Sequence, residues 1–335
     1  MSHAEGFVLA LSGGIGGAKL ALGFYRILPP GALTVVANTG DDFEHLGLSI
    51  SPDIDTLLYT LAGLDNPELG WGRRDETWTF MKALGSLGGE TWFNLGDGDL
   101  ATHVERTRRL AAGESLSEIT DDFRRRFGIS ARLLPMSDDW VRTRLRTAAG
   151  WLDFQDYFVR RHCAPVVREI AFAGAEKARG QPAFLAALAD ENLRAVVICP
   201  SNPFISIDPM LAIPGVRQAL HECRAPIVAV SPIIGGKAVK GPTAKMMAEL
   251  DLPVDAAAVA RYYGGIADVF VADETDRDLF DEFPGVPTVL AHTLMVTLAD
   301  RETLARTVLR AADAQTPAAL IRAAKAGRRL SSDRK

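Results

Sequence analysis

Two acidic clusters and one glycine turn carry the chemistry that can be read directly from this chain. The first cluster is Asn38-Thr39-Gly40-Asp41-Asp42, and Ser51-Pro52-Asp53-Ile54-Asp55-Thr56 follows shortly after it. Carboxylates on oxygen-rich loops are hard ligands that suit Mg2+, one or two per ion beside phosphate oxygens. An isolated Asp pair is ordinarily a turn feature. Two clusters at the C-terminal end of one predicted strand weigh against that reading, because open α/β sheets bind ligands at this edge. Ser51 suits a helix cap and Pro52 its first turn. Asp53 and Asp55 then stand about 200° apart around the helix. One is expected to face the site, while the other braces the loop or meets a different substrate.

Ser12-Gly13-Gly14-Ile15-Gly16-Gly17-Ala18-Lys19 lies between a predicted strand and a predicted helix. Gly13, Gly14, Gly16 and Gly17 allow close approach of a bound group, and a helix N-terminus offers N–H donors and partial positive charge. A phosphate fits such a turn. The pattern lacks the Gly-Lys-Ser/Thr of a P-loop, and Lys19 stands where GxGxxG would have its last glycine. A tight strand-to-helix turn without a ligand is the bland alternative.

Further polar loops follow later strands. Pro200-Ser201-Asn202-Pro203 comes after RAVVIC, and Ser231-Pro232-Ile233-Ile234-Gly235-Gly236-Lys237 after PIVAV, with Lys240-Gly241-Pro242-Thr243 opening another helix. Asn94-Leu95-Gly96-Asp97-Gly98-Asp99 precedes His103, and here a helix capped by Asp99 with a surface histidine is the simpler reading.

The elements that must position these loops read as β-turn-α-β at the start: strand 7–11, helix 18–28, strand 33–37. Strands at 194–199, 226–230, 267–272 and 287–291 alternate with helices at 182–190, 243–250, 255–263 and 301–314. This is the pattern of a parallel sheet with crossover helices. Residues 65–175 read differently, with helices at 99–112 and 117–127 and short strands at 132–134, 141–147 and 166–173. The expected fold is α/β: a Rossmann-like, mostly parallel sheet with an inserted α+β subdomain. One domain spans 1–335, its core formed by 1–64 and 176–320 and the insertion by about 65–175.

Composition narrows the function. With 37 basic and 42 acidic residues the formal net charge is -5, so nothing advertises nucleic acid or an anionic membrane. Cys163, Cys199 and Cys223 lack the spacing of a disulfide framework or a zinc site. No apolar stretch is long enough to span a bilayer, and MSHAEG runs into the first strand without a signal-peptide pattern. The expected compartment is the cytoplasm.

Together SGGIGGAK, NTGDD, GLSISPDIDT, WGRRDETW, LGDGDLATH, LLPMSDD, FQDYFV, PSNPFISIDP and SPIIGG with KGP resemble, in order, the 2-phospho-L-lactate transferase family of coenzyme F420 biosynthesis. The resemblance implies a guanosine diphosphate donor that carries a three-carbon acid. The acceptor it implies is the deazaflavin 7,8-didemethyl-8-hydroxy-5-deazariboflavin, whose ribityl hydroxyl attacks the phosphate and releases GMP. It implies Mg2+ as cofactor and a homodimer. Asp55 matches a deazaflavin-binding position and Asn94 another, although Asn94 stands where many members have a basic residue and Gly98 where many have Arg. With Asp55 on the acceptor side, Asp42 and Asp53 are the expected Mg2+ ligands, and all three carboxylates are expected to be catalytic. The nucleotide diphosphate is expected on Gly13, Gly14, Gly16, Gly17, Lys19, Asn38, Ser201, Asn202, Gly235 and Gly236. A related group shares the glycine turn and binds nucleotide sugars, so a regulatory binding protein is the alternative. A nicotinamide oxidoreductase is disfavoured, because the second strand ends in Asn38 rather than an acidic residue.

Overall fold

Apolar runs of five or six residues recur through the chain, and the computed structural model pairs them into one sheet. It describes residues 6–66, 71–281 and 283–332. The chain opens with β1 (Phe7–Ser12), α1 (Gly14–Ile27) and β2 (Leu33–Ala37). A hairpin, β3 (Phe43–His45) and β4 (Leu48–Ile50), leads into α2 (Pro52–Ala62). Next come α3 (Thr79–Ser86), α4 (Asp97–Ala111), α5 (Leu116–Arg126) and β5 (Arg132–Pro135). β6 (Arg142–Thr147), β7 (Gly150–Asp153) and β8 (Glu169–Ala173) form a separate antiparallel sheet. After α6 (Pro182–Ala189) and β9 (Leu193–Ile198) come α7 (Asp208–Leu211), α8 (Val216–Glu222) and β10 (Ile227–Val230). The small hairpin β11 (Ile233–Ile234) and β12 (Lys237–Ala238) precedes α9 (Thr243–Glu249) and α10 (Ala256–Tyr263). β13 (Val269–Asp273), β14 (Thr288–Ala291) and α11 (Leu298–Ser332) complete the chain.

The main sheet has seven strands in the order β14-β13-β10-β9-β1-β2-β5. Every pairing in it is parallel. β1 alternates its side chains between two apolar layers, Leu9 and Leu11 on one face and Val8 and Ala10 on the other. The layer with Val8 contains Leu20 of α1, Leu57 of α2, Ile119 of α5 and Leu304 of α11. The layer with Leu9 contains Phe184 of α6, Leu220 of α8, Val259 of α10 and Leu145 of β6. This is the expected Rossmann-like arrangement. β1 lies centrally, with the chain running outward through β2 on one side and β9 on the other. The C-terminal ends of β1 and β9 therefore border the crevice where such sheets bind ligands.

Two expectations change, and one hairpin has no counterpart in the sequence reading. The strand at 132–134, placed in the insertion from sequence, is β5 and pairs with β2 at the edge of the main sheet. Its Leu133 and Leu134 are buried on opposite faces, as a main-sheet strand requires. The first helix begins at Gly14 rather than 18, so the glycines form its first turn. The hairpin of β3 and β4 turns through Leu46 and Gly47, both at positive φ, and its three-residue strands are too short to show alternation.

The two longest-range partners of the central layer meet at a glycine. A Cβ added to Gly23 of α1 would lie 2.2 Å from the carbonyl oxygen of Arg301 in α11. Gly23→Ala must push the helices apart and should destabilise the protein by about 1–3 kcal/mol. Urea unfolding measures this, and an unchanged midpoint would contradict the packing.

Candidate active site

A cavity of about 460 Å3 opens at the C-terminal edge of the sheet. The glycine turn after β1, the start of α2, the loop after β9 and the loops after β10 and β14 all contribute to its wall. Five loops from separate parts of the sequence converge because the parallel sheet delivers the C-terminal ends of its strands to one side.

Asp53 is the junction of this edge. Its Oδ1 accepts the N–H of Gly14 at 2.6 Å, and its Oδ2 accepts Nδ2 of Asn38 at 3.0 Å. Asn38 also donates to the carbonyl of Ile205 at 3.2 Å and accepts the N–H of Gly40 at 2.8 Å. Ser201 closes the other side: its hydroxyl accepts from Gly13 N–H at 3.1 Å and donates to Gly13 carbonyl at 2.8 Å. Two of the N–H groups expected for a phosphate are thus already bonded. The orphan donors of the first helical turn that belong to the wall are those of Ile15 and Gly16.

The glycines are required for more than a ligand. A Cβ on Gly16 would sit 2.4 Å from the carbonyl oxygen of Pro200, and one on Gly17 would sit 2.4 Å from Ser12 Oγ. Gly14, with φ near +67°, faces open space and needs glycine for its backbone angle alone. Among the described residues the wall includes Gly13, Gly14, Gly16, Lys19, Ser201 and Asn202. Gly17, Asn38, Gly235 and Gly236 are not in it. Asn38 is fully buried behind the wall, because its amide is consumed by the β-strand-end contacts. Gly235 is held outside by the Asp276 carboxylate, which accepts its N–H, while Ile234, Val239 and Lys240 reach the cavity instead.

The acidic residues divide in a way the sequence did not resolve. Asp41 is in the wall and Asp42 is not. Asp42 turns back to accept the Ser51 hydroxyl at 2.9 Å, so Ser51 does not cap α2. Burial pushes Asp42 up to about 7, against the pull of Arg142 and Ser51. Burial likewise raises Asp53 to about 6. Asp41 is held well above the ordinary carboxylate range by burial and then by the neighbouring Asp53 charge. Asp41 Oδ1 is buried without a hydrogen-bond partner. Lys19, also in the wall, donates to the carbonyl of Met295 at 2.9 Å; burial, then Arg301 and Lys240, lower its pKa.

Asp55 faces away from Asp53, as helix geometry requires, and meets α4. Nη2 of Arg106 donates to its Oδ1, and Nη1 donates to Oδ2 at 3.1 Å. His103 Nδ1 lies 3.6 Å from Asp55 Oδ2, and His103 Nε2 lies 3.0 Å from Asp99 Oδ2. Asp99 also accepts the Tyr59 hydroxyl at 2.6 Å. Burial works to raise Asp99, but His103 and Tyr59 leave it below the usual range. Asp99 is free for this because it does not cap α4. Gly96 is the cap position, and Glu76 accepts the N–H groups of Gly98 and Asp99 at 2.7 and 2.8 Å. Ligand atoms of Asp55, Asp99 and His103 lie within 4.8 Å of one another, a spacing that could hold a divalent metal.

Asn94, Phe93, Trp71, Phe154 and Phe158 line the same cavity as Asp55. Phe154 and Phe158 stack with centroids 5.3 Å apart. Sequence alone reads Asp99 and His103 as a cap with a surface histidine and does not single out Arg106 or Tyr59, yet all four are buried. The available signal was spacing: Asp99, His103 and Arg106 recur at i, i+4 and i+7 on one helical face.

The family described as 2-phospho-L-lactate transferase CofD matches residues 8–283. The chain belongs to this family. A phosphoenolpyruvate transferase of Streptomyces griseus is 41% identical over 281 residues, covering 82% of this chain and 88% of that protein. One from Kitasatospora aureofaciens is 40% identical over 315 residues, covering 91% and 98%. Another from Mycobacterium tuberculosis is 40% identical, covering 87% and 93%. The fold also matches a member of the UPF0052 family from Bacillus halodurans, with a TM-score of 0.58 at 14% identity over 91% of this chain and 99% of that one. Membership makes the chain a transferase of phosphorylated groups, and the motifs from SGGIGGAK to PSNPFISIDP lie within the matched span. Among the described residues no helix is long and apolar enough to cross a membrane.

Two outcomes follow from this geometry. Asp55→Ala leaves the buried Arg106 charge without its carboxylate, which should cost about 3–5 kcal/mol in urea unfolding. A loss below about 1 kcal/mol would mean that the pair is not buried as described. Asp42 gives a pH signature. Its folded pKa of about 7 exceeds the ordinary 3.8, so the folded chain holds this proton more tightly than the unfolded chain. That contribution is complete below about pH 4 and is lost as the pH rises through about 7. In ligand-free protein, the stability of wild type relative to Asp42→Asn should therefore fall across this interval. A flat difference would contradict it.

Proposed function

We propose that this enzyme transfers an enolpyruvyl phosphate group from a guanosine diphosphate donor to the ribityl hydroxyl of 7,8-didemethyl-8-hydroxy-5-deazariboflavin, releasing GMP. Support for the three-carbon acid comes from the relatives of about 40% identity, which are phosphoenolpyruvate transferases. The observation that carries the reading is the continuity of one cavity. It joins the glycine turn, Lys19 and the Ser201-Asn202 loop to the aromatic wall around Asp55 and Asn94. A diphosphate suits the first end and a planar ring with a hydroxylated tail suits the second.

Mg2+ fits the first end. Asp41 and Asp53 form an acidic pair governed by burial and mutual repulsion, and Asp41 keeps an unpartnered oxygen. Among the described residues this buried carboxylate pair has no basic partner, which a resident divalent ion would offset. Asp41 therefore takes the role first expected of Asp42, because Asp41 is in the cavity wall and Asp42, with one oxygen committed to Ser51, is not. The cluster of Asp55, Asp99 and His103 suits Mg2+ less well, because Arg106 already neutralises Asp55. When bound, Mg2+ would neutralise charge on the bridging phosphate oxygens.

The chain's own groups do the rest. Ile15 and Gly16 present N–H donors to the diphosphate, and Lys19 adds positive charge. Asp55 accepts a hydrogen bond from the attacking hydroxyl and holds it in line. The leaving group is a phosphate monoester, so alignment and charge neutralisation suffice, and no strong base is needed.

GMP release from the guanosine donor in the presence of the deazaflavin and Mg2+ tests the reading. Asp41→Asn and Asp53→Asn should each lower turnover by at least about 10²-fold. Both should also lose the Mg2+-dependent rise in melting temperature that the wild type is expected to show with GDP. Full turnover in both variants would place the metal elsewhere. Binding of nucleotide without GMP release in the wild type would favour the regulatory alternative.

A further inference from the structure

We propose that Arg106 is a positioning residue for the acceptor end of the cavity, and that His103 serves it as a neutral imidazole protonated on Nε2. The proposal rests on the reading that Asp55 meets the acceptor.

Arg106 is 1% exposed and is not in the cavity wall, whereas Asp55, Tyr59, Asp99 and His103 all are. It can act on substrate only through Asp55. Its guanidinium takes both oxygens of that carboxylate in a fork, which fixes the plane of the carboxylate as well as its position. A carboxylate has about four lone-pair sites, so this fork leaves Asp55 able to accept one more hydrogen bond from the cavity side.

The imidazole follows from donor and acceptor counting. Nη1 of Arg106 lies 3.3 Å from His103 Nδ1. A guanidinium has no acceptor, so that contact is a hydrogen bond only if Nδ1 is bare. The ring proton then belongs to Nε2, which faces Asp99 Oδ2 at 3.0 Å. Asp99 in turn receives the Tyr59 hydroxyl on its other oxygen. Donation thus runs one way: Tyr59 donates to Asp99, Arg106 donates to both His103 and Asp55, and His103 Nε2 lies beside Asp99 without a hydrogen bond. In this arrangement Nδ1 is engaged by Arg106 and Nε2 carries the ring proton. His103 orients the guanidinium and is not the base of the transfer.

Nitrogen NMR of His103 and steady-state kinetics together test the proposal. In the wild type, Nδ1 should show the shift of a bare ring nitrogen and Nε2 that of a protonated one. A protonated Nδ1 overturns the assignment without reference to any activity. Arg106→Lys keeps the charge and loses the fork, so it should raise KM for the deazaflavin by about tenfold or more while leaving KM for the guanosine donor nearly unchanged. A defect shared equally by donor and acceptor, or no defect, sinks the positioning role. A wild type that never transfers to the deazaflavin sinks instead the functional reading on which this one rests. If Arg106→Lys does not fold, His103→Gln serves as the second variant. Its side-chain amide can still accept from Arg106 through oxygen, and it should retain most of the wild-type acceptor KM. A tenfold rise there would overturn the proposal.

Discussion

The carboxylate of Asp53 is the constraint on which the rest of this edge depends. Through Gly14 it fixes the N-terminus of α1, and through Asn38 it fixes the end of β2. Asn38 then reaches Ile205 in the turn after β9. One buried acid therefore joins elements from opposite sides of the central strand. Removing it would release the glycine turn, the acidic loop and the loop after β9 together, because each relies on the same few hydrogen bonds for its buried polar groups.

Burial sets a second theme. Asp41, Asp42, Asp53 and Asp55 are each no more than 7% exposed, and they lie within one short stretch of chain. Such a concentration of negative charge is tolerated because the groups have different partners. Asp55 has a guanidinium, Asp42 a hydroxyl, Asp53 an amide and a backbone N–H, and Asp41 and Asp42 each keep one buried oxygen without a hydrogen-bond partner. The division is a matter of which way each side chain points along two loops and one helical turn.

Much of this was legible in the sequence. Strand and helix alternation located the parallel sheet, since a fully buried strand must be a short apolar run. Helix periodicity gave Asp53 and Asp55 different partners, although both reach the wall of the one cavity. Two kinds of information were missing. Adjacent residues in an irregular loop, such as Asp41 and Asp42, have no periodicity, and only the Ser51 contact reveals which one turns inward. Capping from a distance was also invisible. Asp99 reads locally as a cap, yet α4 already begins at Asp97, with Glu76 taking the N–H groups of Gly98 and Asp99, so that Asp99 lies inside the first turn and reaches the cavity. Similarly, β5 is a short strand like its neighbours in sequence, and its partner β2 lies almost a hundred residues away.

Glu76 has one more effect. The first turn of α4 borders the cavity and would, left open, attract an anion as readily as the glycine turn does. The chain supplies that anion itself, and a Cβ at Gly98 would meet the same carboxylate at 3.1 Å. The α4 mouth is thus plugged at these N–H groups, whereas the α1 mouth, held by Asp53 at Gly14, still turns Ile15 and Gly16 to the cavity. An anionic end of a long substrate therefore meets helix N–H donors from α1 and not from these positions of α4.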